Sequence, residues 1–114
     1  MLSKFAFRVD ISSKIGIGHY RRLLSFKDRL NLKNIFWILS GEKKIINFFF
    51  NKKKNLFYIN NFYDEVKACE ILKKKNIEKV IMDISHTENI KNNKINLIQN
   101  LYKERNIHII SFDD

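Results

Sequence analysis

The segment FAFRVDISSKIGIGHYRR, residues 5–22, contains the features that decide the fold. Its first five residues are typical of a strand, which Asp10 follows. Two of the three glycines of the chain, Gly16 and Gly18, then interrupt the apolar pattern. Residues 19–31 carry apolar side chains at helical spacing. The segment therefore predicts a strand, a glycine-containing loop and a helix in succession.

The same alternation of strand and helix patterns continues along the chain. Short apolar runs predict four further strands, at residues 35–39, 56–59, 79–83 and 107–112. Helices are predicted between them, at residues 42–50, 62–75 and 89–105. This alternation implies right-handed crossovers and a parallel sheet covered on both faces. We therefore predict a Rossmann-like α/β domain of about five parallel strands in the order 3-2-1-4-5, with helices on both faces.

Apolar residues at helical spacing are expected to face the sheet. In the third predicted helix these are Val66, Cys69 and Leu72, and in the fourth they are Leu97, Ile98, Leu101 and Tyr102. The aromatic run Phe48–Phe50 either ends the helix predicted at 42–50 or starts an irregular segment, and it is expected to join the core. Cys69 is the only cysteine, so neither a disulfide nor a cysteine-based metal site is expected.

Length and composition limit the class of protein. The 114 residues suit a single domain, and 45% hydrophobic with 30% charged residues is ordinary for a folded protein. No apolar run approaches the length of about 20 residues that spans a bilayer. The first residues also lack the pattern of a signal peptide. We therefore expect a cytoplasmic protein without a membrane partner.

The chain is strongly basic, with 22 Lys and Arg against 12 Asp and Glu and a net charge of +10. Such a charge permits attraction to nucleic acid, anionic lipid or a phosphorylated small molecule. Most of the excess is lysine among abundant Asn and Ile, a bias that an A/T-rich coding sequence produces without any anionic partner. A nucleic-acid-binding module is the less favoured alternative. Its surface would comprise Lys43, Lys44, Lys52–Lys54 and Lys73–Lys75 with Phe48–Phe50 and Tyr58.

Polar residues follow several predicted strands at the point where each strand ends. They are Asp10, Ser40, Asp83, Asp113 and Asp114. The carboxyl ends of parallel strands share one edge of the sheet, where doubly wound domains bind their ligands. The sequence therefore places a candidate site at this edge.

The loop between the first strand and its helix has its own chemical signals. Gly16 and Gly18 allow a ligand to approach the backbone closely, and the helix start offers free N–H groups to an anion. A dinucleotide fingerprint is weak because Arg21 occupies its third glycine position. His19 lies in the first helical turn, where the positive helix end disfavours the imidazolium. His19 is therefore either a general base or a residue that merely caps the helix.

Three segments together resemble a known family: FRVDISSKIGIGHYRR near the start, VIMDISH at 80–86 and IISFDD at 109–114. The family comprises the UDP-2,4-diacetamido-2,4,6-trideoxy-β-L-altropyranose hydrolases of the pseudaminic acid pathway and related spore-coat polysaccharide biosynthesis proteins. Its loop reads F-R-x-D-x-[SG]-x-x-I-G-x-G-H-x-x-R, which is matched by Phe7, Arg8, Asp10, Ile15, Gly16, Gly18, His19 and Arg22. The segment MDISH departs from the commoner D-H-Y, moving the histidine to His86.

The resemblance implies an activity and a partner. It implies the amino-terminal half of a two-domain, GT-B glycosyltransferase-like hydrolase that releases UDP from a UDP-sugar by attack of water at the anomeric carbon. His19 would activate the water, and no metal or cofactor is implied. Substrate contacts are implied at Arg8, Asp10, Ser12, Ser13, Gly16, Gly18, Arg22 and Asp83. The partner would be the carboxy-terminal domain, or a chain carrying it, without which this domain is expected to be inactive.

Several of these residues admit a second role. Arg8 and Asp10 lie on the same face of the first strand and either form an ion pair with each other or contact the substrate. Asp10 alternatively orients the base or the water. Ser12 and Ser13 either bond to sugar hydroxyls or end the loop. Asp83, expected to face the same crevice, either contacts the substrate or caps a helix.

Overall fold

Strands and helices alternate along the chain as the sequence predicts. A computed structural model describes residues 4–11, 18–29, 35–50, 55–84 and 92–111. The order is β1 (Phe5–Ile11), α1 (Gly18–Arg29), β2 (Phe36–Gly41), α2 (Lys43–Phe50), β3 (Leu56–Tyr58), α3 (Tyr63–Lys74), β4 (Lys79–Asp83), α4 (Asn92–Glu104) and β5 (His108–Ser111). No helix in these ranges is long and apolar enough to cross a membrane.

The five strands form one parallel sheet in the order β3-β2-β1-β4-β5. The predicted fold class and strand order are therefore confirmed. In the register, Asp10 of β1 lies beside Ser40 of β2, and Val9 lies beside Asp83 of β4. Three of the polar residues predicted at the sheet edge thus meet at the carboxyl ends of adjacent strands.

The apolar core has two parts that share β1. Ala6 belongs to the first cluster, to which α3 and α4 contribute buried residues. Phe7 and Val9 belong to the second, to which α1 and α2 contribute. Because successive side chains of a strand point to opposite faces, the clusters lie on opposite faces of the sheet. In the second cluster, Phe7 packs edge-on against Trp37 with ring centroids 5.1 Å apart.

Some helical side chains differ from the predicted orientation. Cys69 and Leu72 are buried as expected, whereas Val66 is only half-buried. Leu97 is 53% exposed, because the core-facing stripe of α4 runs through the partly buried Ile95 and the buried Ile98 and Tyr102, and Leu97 is off that stripe. Phe48 is 79% exposed, so the expectation that this phenylalanine joins the core is wrong.

The end of β2 requires a glycine. Gly41 has a φ of +113°, which side chains rarely tolerate, and a Cβ there would lie 1.9 Å from the Ile11 carbonyl oxygen. The same Ile11 carbonyl accepts a hydrogen bond of 2.8 Å from the Glu42 amide. This turn brings the ends of β1 and β2 together and leaves Ser40 facing the edge of the sheet.

Candidate functional site

The first part of the site is a buried polar chain on the α3 and α4 face of the sheet. Arg8, Asp10 and Ser40 are all buried, although each is polar. Arg8 Nη1 donates to Ser40 Oγ at 2.9 Å, and Ser40 Oγ donates to Asp10 Oδ1 at 2.8 Å. The serine hydroxyl therefore links the guanidinium to the Asp10 carboxyl across β1 and β2.

The ion-pair partner of Arg8 is Glu65 of α3, so the alternative of a mutual Arg8–Asp10 pair is not what forms. Arg8 Nη2 donates to Glu65 Oε2 at 2.6 Å, and Nε donates to Oε1 at 3.1 Å. Tyr102 of α4 donates its hydroxyl to Oε1 at 2.8 Å. This side-on fork is the strong geometry for a guanidinium and a carboxylate. The Arg8–Glu65 pair joins β1 to α3, and the Tyr102 hydrogen bond adds α4.

Sequence reasoning missed Glu65, although a signal for it exists. Glu65 precedes Ala68, Cys69 and Leu72 by three, four and seven residues, and all four are buried. That spacing puts a carboxylate on the apolar stripe of an amphipathic helix. A charged residue is rarely buried without a partner. The pattern therefore indicates a buried cation opposite Glu65, without saying which one.

Electrostatics raise the pKa values of two members of this network, Arg8 and Tyr102. Burial disfavours the charged guanidinium, but the Glu65 carboxylate and its hydrogen bonds outweigh that effect and raise the pKa of Arg8. Burial and the neighbouring carboxylate raise the pKa of Tyr102 well above its usual value. Arg8 therefore stays charged, and the Tyr102 hydroxyl keeps the proton that it donates.

A cleft of about 230 Å³ opens above this network at the carboxyl edge. Arg8 and Ser40 contribute to its floor, and the exposed side chains of Asn60, Asn61 and Lys94 contribute to its rim. Tyr58, Phe62 and Ile98 supply its apolar and aromatic walls. The cleft thus combines a buried cation, amide groups and rings, a composition suited to a small polar ligand.

The asparagine segment of the rim is held by the start of α3. Asp64 Oδ2 accepts the backbone N–H of Asn60 at 2.7 Å, and Asn61 Oδ1 accepts the Asp64 N–H at 3.3 Å. The N-cap residue of α3, Phe62, makes no side-chain capping bond, so these bonds from its neighbours tie the preceding segment to the first helical turn. They fix the backbone of the rim while both asparagine side chains remain exposed.

A second ion pair joins α1 to the end of β4. Arg22 Nη2 donates to Asp83 Oδ1 at 2.6 Å, and Nε donates to Oδ2 at 3.1 Å. Asp83 is fully buried, and its register with Val9 puts its side chain on the face opposite Asp10. The two aspartates share one edge of the sheet, but their side chains leave it on different faces.

The remaining predicted site residues belong to the loop and to the start of α1. The helix begins at Gly18, so the backbone of His19 lies in its first turn. Arg22, one turn later, anchors this turn to the end of β4. The position of the His19 backbone at the carboxyl edge therefore agrees with the prediction. Ser12, Ser13 and Gly16, and the side chain of His19, lie outside the described part of the chain.

The lysine clusters of the nucleic-acid alternative are far apart where the structure describes them. Lys43 Nζ lies 5.4 Å from the ring centroid of Tyr58, at the carboxyl end of the sheet. Lys75 Nζ lies 5.4 Å from the ring centroid of Phe36, where β2 begins. The length of β2, about 16 Å, separates these ends. Lys43 and Lys75 therefore lie near opposite ends of β2.

Comparison of the chain with protein-family models, curated proteins and solved structures finds no match. The resemblance drawn from the loop therefore stays a prediction. Within the described ranges, no group of three or more His, Cys, Asp or Glu side chains is arranged to hold a metal ion.

Proposed function

We propose that this chain is the base-bearing, sugar-binding part of a hydrolase that releases UDP from a UDP-sugar. The observation that supports it most is the cleft, which has Arg8 in its floor and opens at the sheet edge where α1 starts. A sugar presents hydroxyl groups to donors such as Arg8 and Asn60, and its apolar face suits rings such as that of Phe62.

The proposed chemistry requires one base. UDP leaves as a stabilised anion, so its departure needs no proton, unlike the sugar alkoxide of an ordinary glycosidase. Water that attacks the anomeric carbon must lose a proton, and His19 in the first turn of α1 would accept it. In the family that the loop resembles, a second domain holds most of the UDP contacts. We therefore propose that domain as the functional partner.

The test is UDP release from a UDP-sugar by the chain, supplied with a carboxy-terminal domain of that family. His19→Ala should lower the rate by about 10²–10⁴, the usual effect of losing a general base. His108→Ala is the control, because His108 is exposed on β5. A His19→Ala rate within a few-fold of the parent would refute the assignment of the base.

A salt titration separates this proposal from the nucleic-acid alternative. Binding through many phosphate contacts weakens steeply as the salt concentration rises. We expect RNA and DNA to bind this chain weakly and without sequence preference, as the net charge of +10 alone would produce. Tight binding whose affinity falls with a steep salt slope, as many phosphate contacts produce, would instead favour the nucleic-acid module.

A further inference from the structure

The guanidinium of Arg8 retains one donor that the described residues do not use. Nε donates to Glu65, Nη1 donates both to the Val9 carbonyl at 3.1 Å and to Ser40, and Nη2 donates only to Glu65. A guanidinium carries five N–H groups, two of them on Nη2. Arg8 has 1% of its surface exposed and lines the floor of the cleft. A buried N–H needs an acceptor, and an oxygen of a ligand in the cleft can supply one for the remaining Nη2 donor.

The charges around this donor indicate what kind of oxygen it can donate to. The positive charge of Arg8 is already balanced by Glu65, which also lines the cleft. The Asp10 carboxyl is also near, because the Ser40 hydroxyl links it to the Arg8 guanidinium. A phosphate on the floor would therefore approach two carboxyl groups and gain little from a compensated cation. An uncharged hydroxyl or carbonyl oxygen avoids that repulsion.

We propose that Glu65 is a positioning residue that holds Arg8 so that its last Nη2 donor binds an uncharged oxygen of the ligand. Tyr102 supports Glu65 by donating to its carboxylate from α4. The ligand oxygen is a sugar hydroxyl or the carbonyl of an acylamino sugar, a choice of ligand that rests on the proposed function. By compensating the cation, Glu65 also makes the cleft select neutral oxygen over phosphate.

The test is an NMR titration of the isotope-labelled chain with glucose, N-acetylglucosamine and inorganic phosphate as separate probes. At least one sugar should shift the Arg8 Nε–H signal and the backbone amides of Asn60 and Asn61 saturably, with a millimolar dissociation constant. The two sugars distinguish a hydroxyl from an amide carbonyl as the acceptor. Phosphate should leave the same signals unshifted. Saturable phosphate binding there, or the absence of sugar binding, would overturn the proposal.

Variants separate positioning from a purely structural role. Glu65→Gln should weaken sugar binding about tenfold through one misaligned hydrogen bond, and it should create phosphate binding, because Arg8 then lacks its counter-charge. Loss of packing alone would not produce that gain. If this variant does not fold, Tyr102→Phe keeps both charges and should still weaken sugar binding severalfold. Tyr63→Phe is the matched control, since Tyr63 is 78% exposed on the same helix as Glu65.

The outcomes distinguish this inference from the proposed hydrolase. Sugar binding unchanged in folded Glu65→Gln, or in Tyr102→Phe, would refute the positioning role. UDP release that depends on His19, without any saturable sugar effect in the cleft, would overturn this inference and leave the hydrolase standing. Sugar binding in the cleft without UDP release would support this inference and refute the proposed hydrolase.

Discussion

Replacing Glu65 by leucine removes the counter-charge of a fully buried guanidinium, and we expect a large loss of stability. Arg8 has 1% of its surface exposed, and three of its five hydrogen-bond contacts with described residues go to the Glu65 carboxylate. Breaking a buried pair by removing one partner typically costs about 3–5 kcal/mol, because the other charge stays buried without compensation. The Tyr102 hydroxyl also loses its acceptor, so we expect on the order of 4 kcal/mol or more.

The single variant Arg8→Met and the double variant Arg8→Met with Glu65→Leu complete a cycle that gives the coupling energy between the two charges. Replacement of a whole buried pair by apolar residues is often neutral or stabilising. Here Ser40 and the Val9 carbonyl lose one donor each, at about 1 kcal/mol apiece. The double variant should therefore be more stable than Glu65→Leu by about 2 kcal/mol or more.

Urea unfolding at 25 °C, followed by circular dichroism, measures these differences. A domain of this size has a total stability of about 5–15 kcal/mol, so we expect Glu65→Leu to populate the unfolded state in buffer while the double variant stays folded. A coupling energy below about 1 kcal/mol, as for an exposed ion pair, would refute the reasoning. It would mean that Arg8 and Glu65 do not compensate each other in the core.

Three further results are expected. Arg22→Ala should cost about 1–2 kcal/mol in urea unfolding, less than Glu65→Leu, because the Arg22 side chain is 35% exposed and its pair with Asp83 is partly screened; an equal loss would contradict this. Burial raises the pKa of the Cys69 thiol to about 12 and that of Tyr102 well above its usual value, so both groups ionise more readily when unfolded. These two groups should not lower the free energy of unfolding below pH 9, and they should lower it as the pH rises from about 9 towards 12. A melting temperature that is constant across that pH range would refute this effect. Calorimetry of residues 1–114 alone should show no tight UDP binding and a turnover assay no UDP release, and micromolar binding with release would show a self-sufficient enzyme.

Local patterns were sufficient to predict the sheet. Strands of alternating or continuous apolar residues, separated by helical periodicity, predict parallel crossovers whatever the distant residues are. The same logic placed Asp10, Ser40 and Asp83 at the carboxyl edge, because each directly ends or follows a strand pattern. It also placed His19 in the first turn of α1, since glycines precede the helical pattern there.

The partners of the charged residues were beyond local patterns. Glu65 is 57 residues from Arg8, and Tyr102 is 37 residues from Glu65, so only the crossing of α3 and α4 over β1 brings the three together. Nothing in the spacing of Arg8 and Asp10 indicates that a serine from the next strand would link them. The position of Glu65 on the buried stripe of α3 indicates that its carboxylate needs a cationic partner. The packing of the helices on the sheet decides which cationic side chain pairs with it.

The face on which each edge residue lies was likewise settled by the tertiary structure. Asp83 ends β4 in register with Val9, whose side chain is on the α1 face, while Asp10 points to the α3 face. Strand register depends on hydrogen bonds between strands that are distant in sequence. A shift of one residue in the register would move each side chain of the strand to the other face of the sheet. The sequence alone therefore establishes the edge at which the polar residues gather, and the packed sheet and helices establish which of them can share a ligand.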